Sequence, residues 1–447
     1  RTRIKQIRAW TDRAAQLRVA EAEANSKRPA HLRPTLAPKR LLLFKEILIS
    51  LDYPDAKVVD EVCRGFELAG WLPDAGIFPK RTRRPEVSVQ TLKLLCKGYS
   101  AETLRQLRKR QDPDLEQKTW EETSQELQEG WLFRLSEEES KKVVLARRFG
   151  LRQKLKIRTT DDCTVCGLNS SVGLHERLRV HAVDVLASML QFTFSLCPKG
   201  CPRIVGRTYD LKSAYKQFGI SLAARELLGI AVNRPGESQP VLLGTNVLPF
   251  GAVGSVLAFL RVSMAVWYIG IRSLRLAWSA FYDDYTVLSK EGSAKNAAWA
   301  AESLFRILGL RFAEEGKKAT GFASTFRTLG VEVCLGLSCE GLCLVTHTPE
   351  RKQELTEELS SHLVAGGLSP KDAERLRGRV TFFEGYTFGR VAASCVRKLG
   401  SIIDQPVPFV KLTPQHEHCL QTLREHIALS NPVEISAKLT DTFLCVH

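Results

Sequence analysis

The chain has 447 residues with 65 Lys and Arg against 49 Asp and Glu, a net charge of +16 and a pI near 9.4. At about 100–200 residues per domain the length gives room for two or three domains, and the charge implies a polyanionic partner, nucleic acid foremost. Twelve Cys over this length exclude a dense disulfide scaffold and fit a reducing intracellular compartment, cytoplasmic or nuclear.

No signal peptide or lipidation motif is visible. The chain begins at Arg1, and its Met residues are Met189 and Met264, so it is expected to be a fragment of a longer product. The first fifty residues hold twelve Lys or Arg against four Asp or Glu. Ile4, Ile7, Ala14 and Leu17 recur at helical spacing, which predicts an amphipathic helix with basic faces over 3–24, either a solvated helix or a nucleic-acid contact. Three prolines make 29–38 a linker. Residues 41–51 predict a buried helix, 52–55 a turn into 56–69, and 72–79 a loop. The run Lys80-Arg81-Thr82-Arg83-Arg84 reads as a solvated basic loop or a nucleic-acid contact. Residues 100–139 are charged and helical, and 1–140 carry no catalytic signal.

From Arg147 to Arg158 basic and apolar residues alternate, which predicts strands with four or five cations on one face. Such a face attracts a triphosphate or a nucleic-acid backbone. Cys163-x2-Cys166 and Cys197-x3-Cys201, with His175 and His181 between, have spacing open to structural zinc or to ordinary thiols. Residues 172–190 predict a helix. Residues 227–232 and 241–243 predict paired strands, and 247–255 a tight bend opening a helix. The apolar run 252–271 nearly reaches membrane-span length. Arg261 at its centre would be costly in lipid, so a buried helix and no membrane are expected.

Ala280-Phe281-Tyr282-Asp283-Asp284-Tyr285-Thr286-Val287-Leu288 sets apolar residues on both sides of two adjacent carboxylates. That predicts a tight β-hairpin whose turn carries the acids. Solvated, adjacent acids make an ordinary surface turn, whereas two held between buried strands repel and need a cation. Hard oxygen ligands suit Mg²⁺, with Mn²⁺ as a substitute. A third carboxylate, Asp210, ends a short strand upstream. After the hairpin, 295–308 predicts an amphipathic helix and 331–345 strands, with Cys334, Cys339 and Cys343 in packing roles. Two helices follow over 348–365 and 369–383, broken at Gly366-Gly367.

Asp210, Tyr215 five residues on, and the later Tyr282-Asp283-Asp284 resemble the polymerase palm, and more narrowly the reverse transcriptase family. Ordered motifs carry the resemblance across 145–399. It implies an α+β right-hand polymerase: fingers, a ferredoxin-like palm with an antiparallel sheet plus helices, and a helical thumb. On this reading 1–140 is a basic, mainly helical extension or upstream fingers, and 141–202 is fingers. Residues 203–346 are palm with an interleaved fingers segment, 347–404 thumb, and 405–447 a connection that opens a truncated RNase H-like domain.

The resemblance also implies roles. Asp210, Asp283 and Asp284 hold two Mg²⁺ ions at a primer terminus on an RNA or DNA template. Lys156-Ile157-Arg158 and the following Leu168-Asn169 are similar to the fingers hairpin, where Lys156 and Arg158 clamp the dNTP phosphates. Lys154 or Arg152 are substitutes, because the stretch 162–169 is longer than the retroviral pattern. Tyr215 acts as a steric gate against a 2′-hydroxyl, and Pro249, Phe250 and Gly251 position template and incoming base. Lys317, with Lys318 as its rival, is the general acid for pyrophosphate. Leu329 and Gly330 lie in the primer grip. Gly378-Arg379-Val380-Thr381-Phe382 and Gly389-Arg390 are similar to retrotransposons of the tyrosine-recombinase and Ty3-like groups. RNA-dependent RNA polymerases typically carry a second Asp where Tyr215 stands and Gly where Tyr282 stands, so the aromatics favour DNA synthesis. The alternatives are an RNA-dependent RNA polymerase, a maturase-like enzyme, or an inactive palm kept as an RNA-binding scaffold.

Overall fold

A computed structural model describes residues 2–153, 156–197, 200–316, 318–386 and 392–437. The fold is mixed α/β and divides into two units, each assembled from three stretches of chain. The first takes Arg1–Val180, Asp210–Arg275 and Ala298–Gly316, and the second takes His181–Tyr209, Leu276–Ala297 and Lys317–His447.

In the first unit a five-stranded sheet runs in the order Leu132–Arg134, Val241–Thr245, Leu228–Val232, Val144–Gln153, Lys156–Asp162. The Val144–Gln153 and Leu228–Val232 pair is parallel, and the other three are antiparallel. Leu228–Val232 is apolar throughout and buried throughout, as a central strand should be. Helices Cys96–Leu107 and Pro113–Gln128 pack on this sheet. The second of them starts on an Asp112 cap followed by Pro113 at its first position.

Helix Val253–Arg272 meets the length and apolarity of a membrane span, but it is mostly buried inside this unit. Arg261 at its centre is 1% exposed. Its guanidinium donates to both carboxylate oxygens of Asp55, at 2.7 and 2.8 Å, and to Glu61 at 2.7 and 2.8 Å. A buried charge needs such pairing.

In the second unit, strands Thr325–Thr328, Val331–Cys334, Leu342–His347 and Val433–Ser436 form an antiparallel sheet. Helix Val183–Ser195 buries Val183, Leu186, Leu190 and Phe194 in the same core as Val333, Val345 and Ile435. A three-stranded sheet orders Ala277–Phe281, Asp284–Lys290 and Ile204–Asp210. Helices Pro349–Ala365, Pro370–Tyr386, Ala393–Lys398, Gly400–Ile403 and Pro414–Ala428 share another core around Leu359, Leu376, Phe383 and Leu423. The break between the first two of these is a left-handed Gly366.

Three expectations change. Residues 172–190 are not one helix: Val172–Glu176 is a strand, and the helix begins only at Val183. That strand pairs parallel with Gly70–Trp71 and antiparallel with Lys80–Arg83, and Gly173 leaves room for the Trp71 ring. Partners a hundred residues away supply what local periodicity could not reveal. The basic run is consequently the edge strand Lys80–Arg83, exposed at every residue, rather than a loop. The stretch 29–38 is docked rather than a linker. Leu32 and Leu36 are fully buried, His31 Nε2 lies 2.9 Å from the Ile220 carbonyl, and a proline sits in the first turn of helix Arg33–Leu36. Proline at a helix start is compatible with the helix, not a breaker of it. The terminal segment from 439 and the Gly389-Arg390 motif lie outside the described residues.

Candidate functional site

The hairpin expected around the paired acids is present in the second unit. Phe281 pairs with Asp284 and Ala280 with Tyr285, which leaves Tyr282 and Asp283 as the two turn residues. Tyr282 takes φ +52°. Two-residue hairpin turns need positive φ, and a bulky side chain holds it only at a cost of about 1–3 kcal/mol. The flanking strands enforce it. Trp278, Ala280, Tyr285 and Val287 are buried, with the Trp278 and Tyr285 rings 5.0 Å apart. Tyr282, Asp283 and Asp284 stay half-buried at the tip.

Two further contacts fix this hairpin. The His181 amide donates to the Ala280 carbonyl at 3.1 Å, and the Ala280 amide donates to His181 Nδ1 at 3.2 Å. The Thr286 and Thr328 hydroxyls meet at 2.6 Å. His181 thus has a structural role, as a lone His usually does. Strand Ile204–Asp210 lies beside Asp284–Lys290 in the sheet. Gly206 in that strand leaves space for the Phe326 ring, which a Cβ would overlap.

Asp210 begins the middle stretch of the first unit, where its carbonyl accepts from Ala313 at 2.9 Å. Gln217, 2% exposed, holds the same stretch: it donates to the Lys212 and Arg311 carbonyls at 2.9 and 2.8 Å and accepts from the Arg311 amide at 2.9 Å. Tyr215 stacks on Phe259 at 4.9 Å and meets Phe250 edge-on at 5.8 Å. The sequence-predicted Tyr215 and Phe250 are therefore neighbours, with Phe250 exposed and Pro249 buried.

Strand Lys156–Asp162 is tied to the same place. The Asp161 amide donates to the Phe250 carbonyl at 3.0 Å. Asn169 donates to the Gly251 carbonyl at 3.1 Å and accepts from the Val253 amide at 2.9 Å. Gly251 has φ +120°, and a Cβ there would overlap the Asp161 carbonyl. Asn169 was legible only as part of a motif; its bridging role was not.

The basic face is not uniform. Arg148 turns inward, 2% exposed, and donates to Asp161 at 2.7 and 3.1 Å and to Glu126 at 2.8 Å. Lys216 reaches the other Glu126 oxygen at 2.9 Å. Burial alone would lower the Arg148 pKa, but the Asp161 and Glu126 carboxylates outweigh it and raise that pKa. Burial likewise pushes the Glu126 carboxyl up, yet Lys216 and Arg148 hold it below its ordinary value. Adjacent strand residues face opposite ways, so the consecutive Arg147 and Arg148 could not share a face. Arg158, opposite Leu151, is exposed. Arg152 lies 3.8 Å from Asp112 and 4.0 Å from Asp114. Lys156 is the first residue of its strand, and Lys154 lies outside the described residues.

Leu329 and Gly330 form a two-residue turn between Thr328 and Val331, with φ +51° and +79°. Both values positive is the primed turn that hairpins favour. Arg351 donates to the Gly330 carbonyl at 3.2 Å and lies over the Phe382 ring at 4.3 Å. Lys317 lies outside the described residues, and Lys318 is exposed.

All described cysteines are free thiols. Among the described residues, no group of three or more His, Cys, Asp and Glu side chains could hold a metal ion. Mg²⁺ does not require such a cage, because it takes one or two carboxylates together with waters and substrate phosphates. Asp283 and Asp284, half-buried at the hairpin tip, carry carboxylates of that hard kind.

No protein-family model matches this chain. No curated protein matches it either. Among solved structures, the chain is similar to the foamy viral protease-reverse transcriptase dRH in complex with double-stranded DNA, with a TM-score of 0.47 and 15% identity. That match covers 87% of this chain and 60% of the other. A second, the foamy viral protease-reverse transcriptase in complex with double-stranded DNA, has a TM-score of 0.45 and 14% identity over 86% of this chain and 71% of that one.

Proposed function

We propose that the chain is an RNA-directed DNA polymerase, the reverse transcriptase of a retroelement. It would extend a primer 3′-hydroxyl with dNTPs on an RNA or DNA template, its parts acting as fingers, palm and thumb. The observation that carries the reading is the three-stranded sheet, in which the strand ending at Asp210 runs beside a hairpin tipped by Tyr282, Asp283 and Asp284. Motif order along the chain supports it as well.

In this reading Asp210 and Asp283 would hold Mg²⁺, or Mn²⁺ in its place, and Asp284 would orient the site. The metal, when bound, supplies positive charge that activates the 3′-hydroxyl and neutralises the leaving pyrophosphate. Tyr215, braced by Phe259 and Phe250, rejects a 2′-hydroxyl by contact. Pro249, Phe250 and Gly251 position the base, and Lys156 and Arg158 meet the phosphates. Lys317, with Lys318 beside it, donates a proton to the leaving group. Leu329 and Gly330 seat the primer strand. Phosphate contacts would dominate template affinity, so binding weakens steeply with salt.

Primer extension on poly(rA)–oligo(dT) with dTTP and Mg²⁺ tests the proposal. Extension by the wild type but not by Asp283→Asn, with template binding retained in the variant, is the expected result. Absence of extension by the wild type overturns it, as does equal loss of binding and synthesis in the variant.

A further inference from the structure

The second unit gathers three thiols whose positions the polymerase reading leaves unused. Cys201 is 7% exposed, Cys197 is half-buried and Cys339 is exposed. The Cys201 amide donates to the Cys339 carbonyl at 3.3 Å. Three residues along, the Ile204 amide donates to Ser338 Oγ at 3.0 Å. These two bonds clamp the start of strand Ile204–Asp210 to the turn Ser338–Glu340. The Cys201 amide–Cys339 carbonyl bond sets the two backbones side by side at this point, and a disulfide bridges Cα atoms about 4.4–6.8 Å apart.

We propose that Cys201 and Cys339 form a reversible dithiol–disulfide pair, a redox modification site that closes on reaction with a small-molecule disulfide. The inference stands independently of the polymerase reading. Exposure makes Cys339 the first thiol to react. Its thiolate attacks one sulfur of oxidised glutathione, the glutathione S–S bond breaks, and one glutathione thiolate leaves and takes up a proton. The Cys201 thiolate then attacks the Cys339 sulfur of the mixed disulfide and expels the second glutathione. Two protein thiols become one disulfide, and one glutathione disulfide becomes two thiols.

Burial, then the neighbouring Cys197 and Cys339 sulfurs, raise the Cys201 thiol. A raised pKa leaves less Cys201 thiolate, so the second, intramolecular attack depends on proximity rather than on thiolate abundance. Cys197 is the internal competitor, since its sulfur is within hydrogen-bonding reach of Cys201. A bond between these two would close only a five-residue ring. The bond to Cys339 closes a long loop between two segments already held together, and it should restrain the unfolded chain more.

The test incubates the whole chain with oxidised glutathione, blocks remaining thiols and maps disulfides by mass spectrometry of the non-reduced digest. A Cys201–Cys339 cross-linked peptide that disappears on reduction is the expected product. Cys339→Ser should abolish it, and Cys201→Ser should leave Cys339 carrying a stable glutathione adduct. The oxidised wild type should also unfold at a higher urea concentration than the reduced form, a shift absent in Cys339→Ser. A persistent Cys339–glutathione adduct in the wild type overturns the proposal. So does a Cys197–Cys201 linkage, or an unmodified Cys339.

Discussion

The amide of Asp161 donates to the carbonyl of Phe250 at 3.0 Å, joining the end of strand Lys156–Asp162 to the exposed aromatic beside Tyr215. Gly251 makes the approach feasible, because its φ of +120° and lack of a side chain leave room for the Asp161 carbonyl. Gly251→Ala should lower stability by about 1–3 kcal/mol. If the proposed polymerase function holds, it should also raise the KM for dTTP more than it lowers kcat. Urea unfolding and steady-state extension check both, and a variant indistinguishable from wild type would remove the role given to this junction.

Arg148 pairs with both Asp161 and Glu126, and Lys216 shares Glu126 with it. Arg148→Ala leaves two buried carboxylates with too little compensation, so a loss of about 3–5 kcal/mol is expected. The Glu126 carboxyl is held below its ordinary value. Its contribution is therefore fully present above the unfolded carboxylate pKa and fades as the pH falls through the folded one. In Lys216→Met that acid-side fading should begin at a higher pH. Urea midpoints measured from pH 3 to 7 report it.

Lys39 is 4% exposed, donates to the Gly309 carbonyl at 3.4 Å and lies over the Phe218 ring at 4.9 Å. Burial, with help from Arg311, pulls its ammonium down to about 7. A depressed folded pKa means that the unfolded chain binds the extra proton between that value and about 10.4. Stability should therefore rise with pH across this window, by an amount on the order of 4 kcal/mol. Lys39→Met should flatten the rise and stabilise the protein at neutral pH. An unchanged slope in the variant would show that another group titrates there.

Much of this was legible along the chain, and what was not shares one physical cause. The hairpin of 280–288, the helix through Arg261 and the break at Gly366 follow from local alternation, length and turn chemistry. The strand Val172–Glu176 and the docked stretch near Leu32 depend on partners far away in sequence, which no local window contains. In the candidate site, Asp283, Asp284, Tyr215 and Phe250 were named from motifs, and their roles belong to the proposal. That Arg148 is a buried structural cation, whereas Arg158 is exposed, follows from strand facing, and only the fold fixes which face is covered.

Arg351 braces the turn at Gly330 through one hydrogen bond and the Phe382 ring. If the proposed polymerase function holds, Arg351→Ala should loosen that turn and raise the KM for primer–template severalfold, with kcat nearly retained. If kcat falls as much as kcat/KM, the arginine acts on the chemical step rather than on primer seating. Lysine should rescue poorly, because it lacks the planar fork that both donates and stacks.

Each unit is stitched from three stretches that alternate along the chain, so the polypeptide passes between them five times. During synthesis the first unit waits for residues Ala298–Gly316, and the strand Ile204–Asp210 waits for the hairpin that follows Leu276. Neither unit can finish as its amino-terminal portion leaves the ribosome. Folding dominated by such distant pairings is slow and exposes unpaired strands meanwhile. Chaperone dependence during expression, and poor recovery of any contiguous fragment, are the expected consequences of this order of assembly.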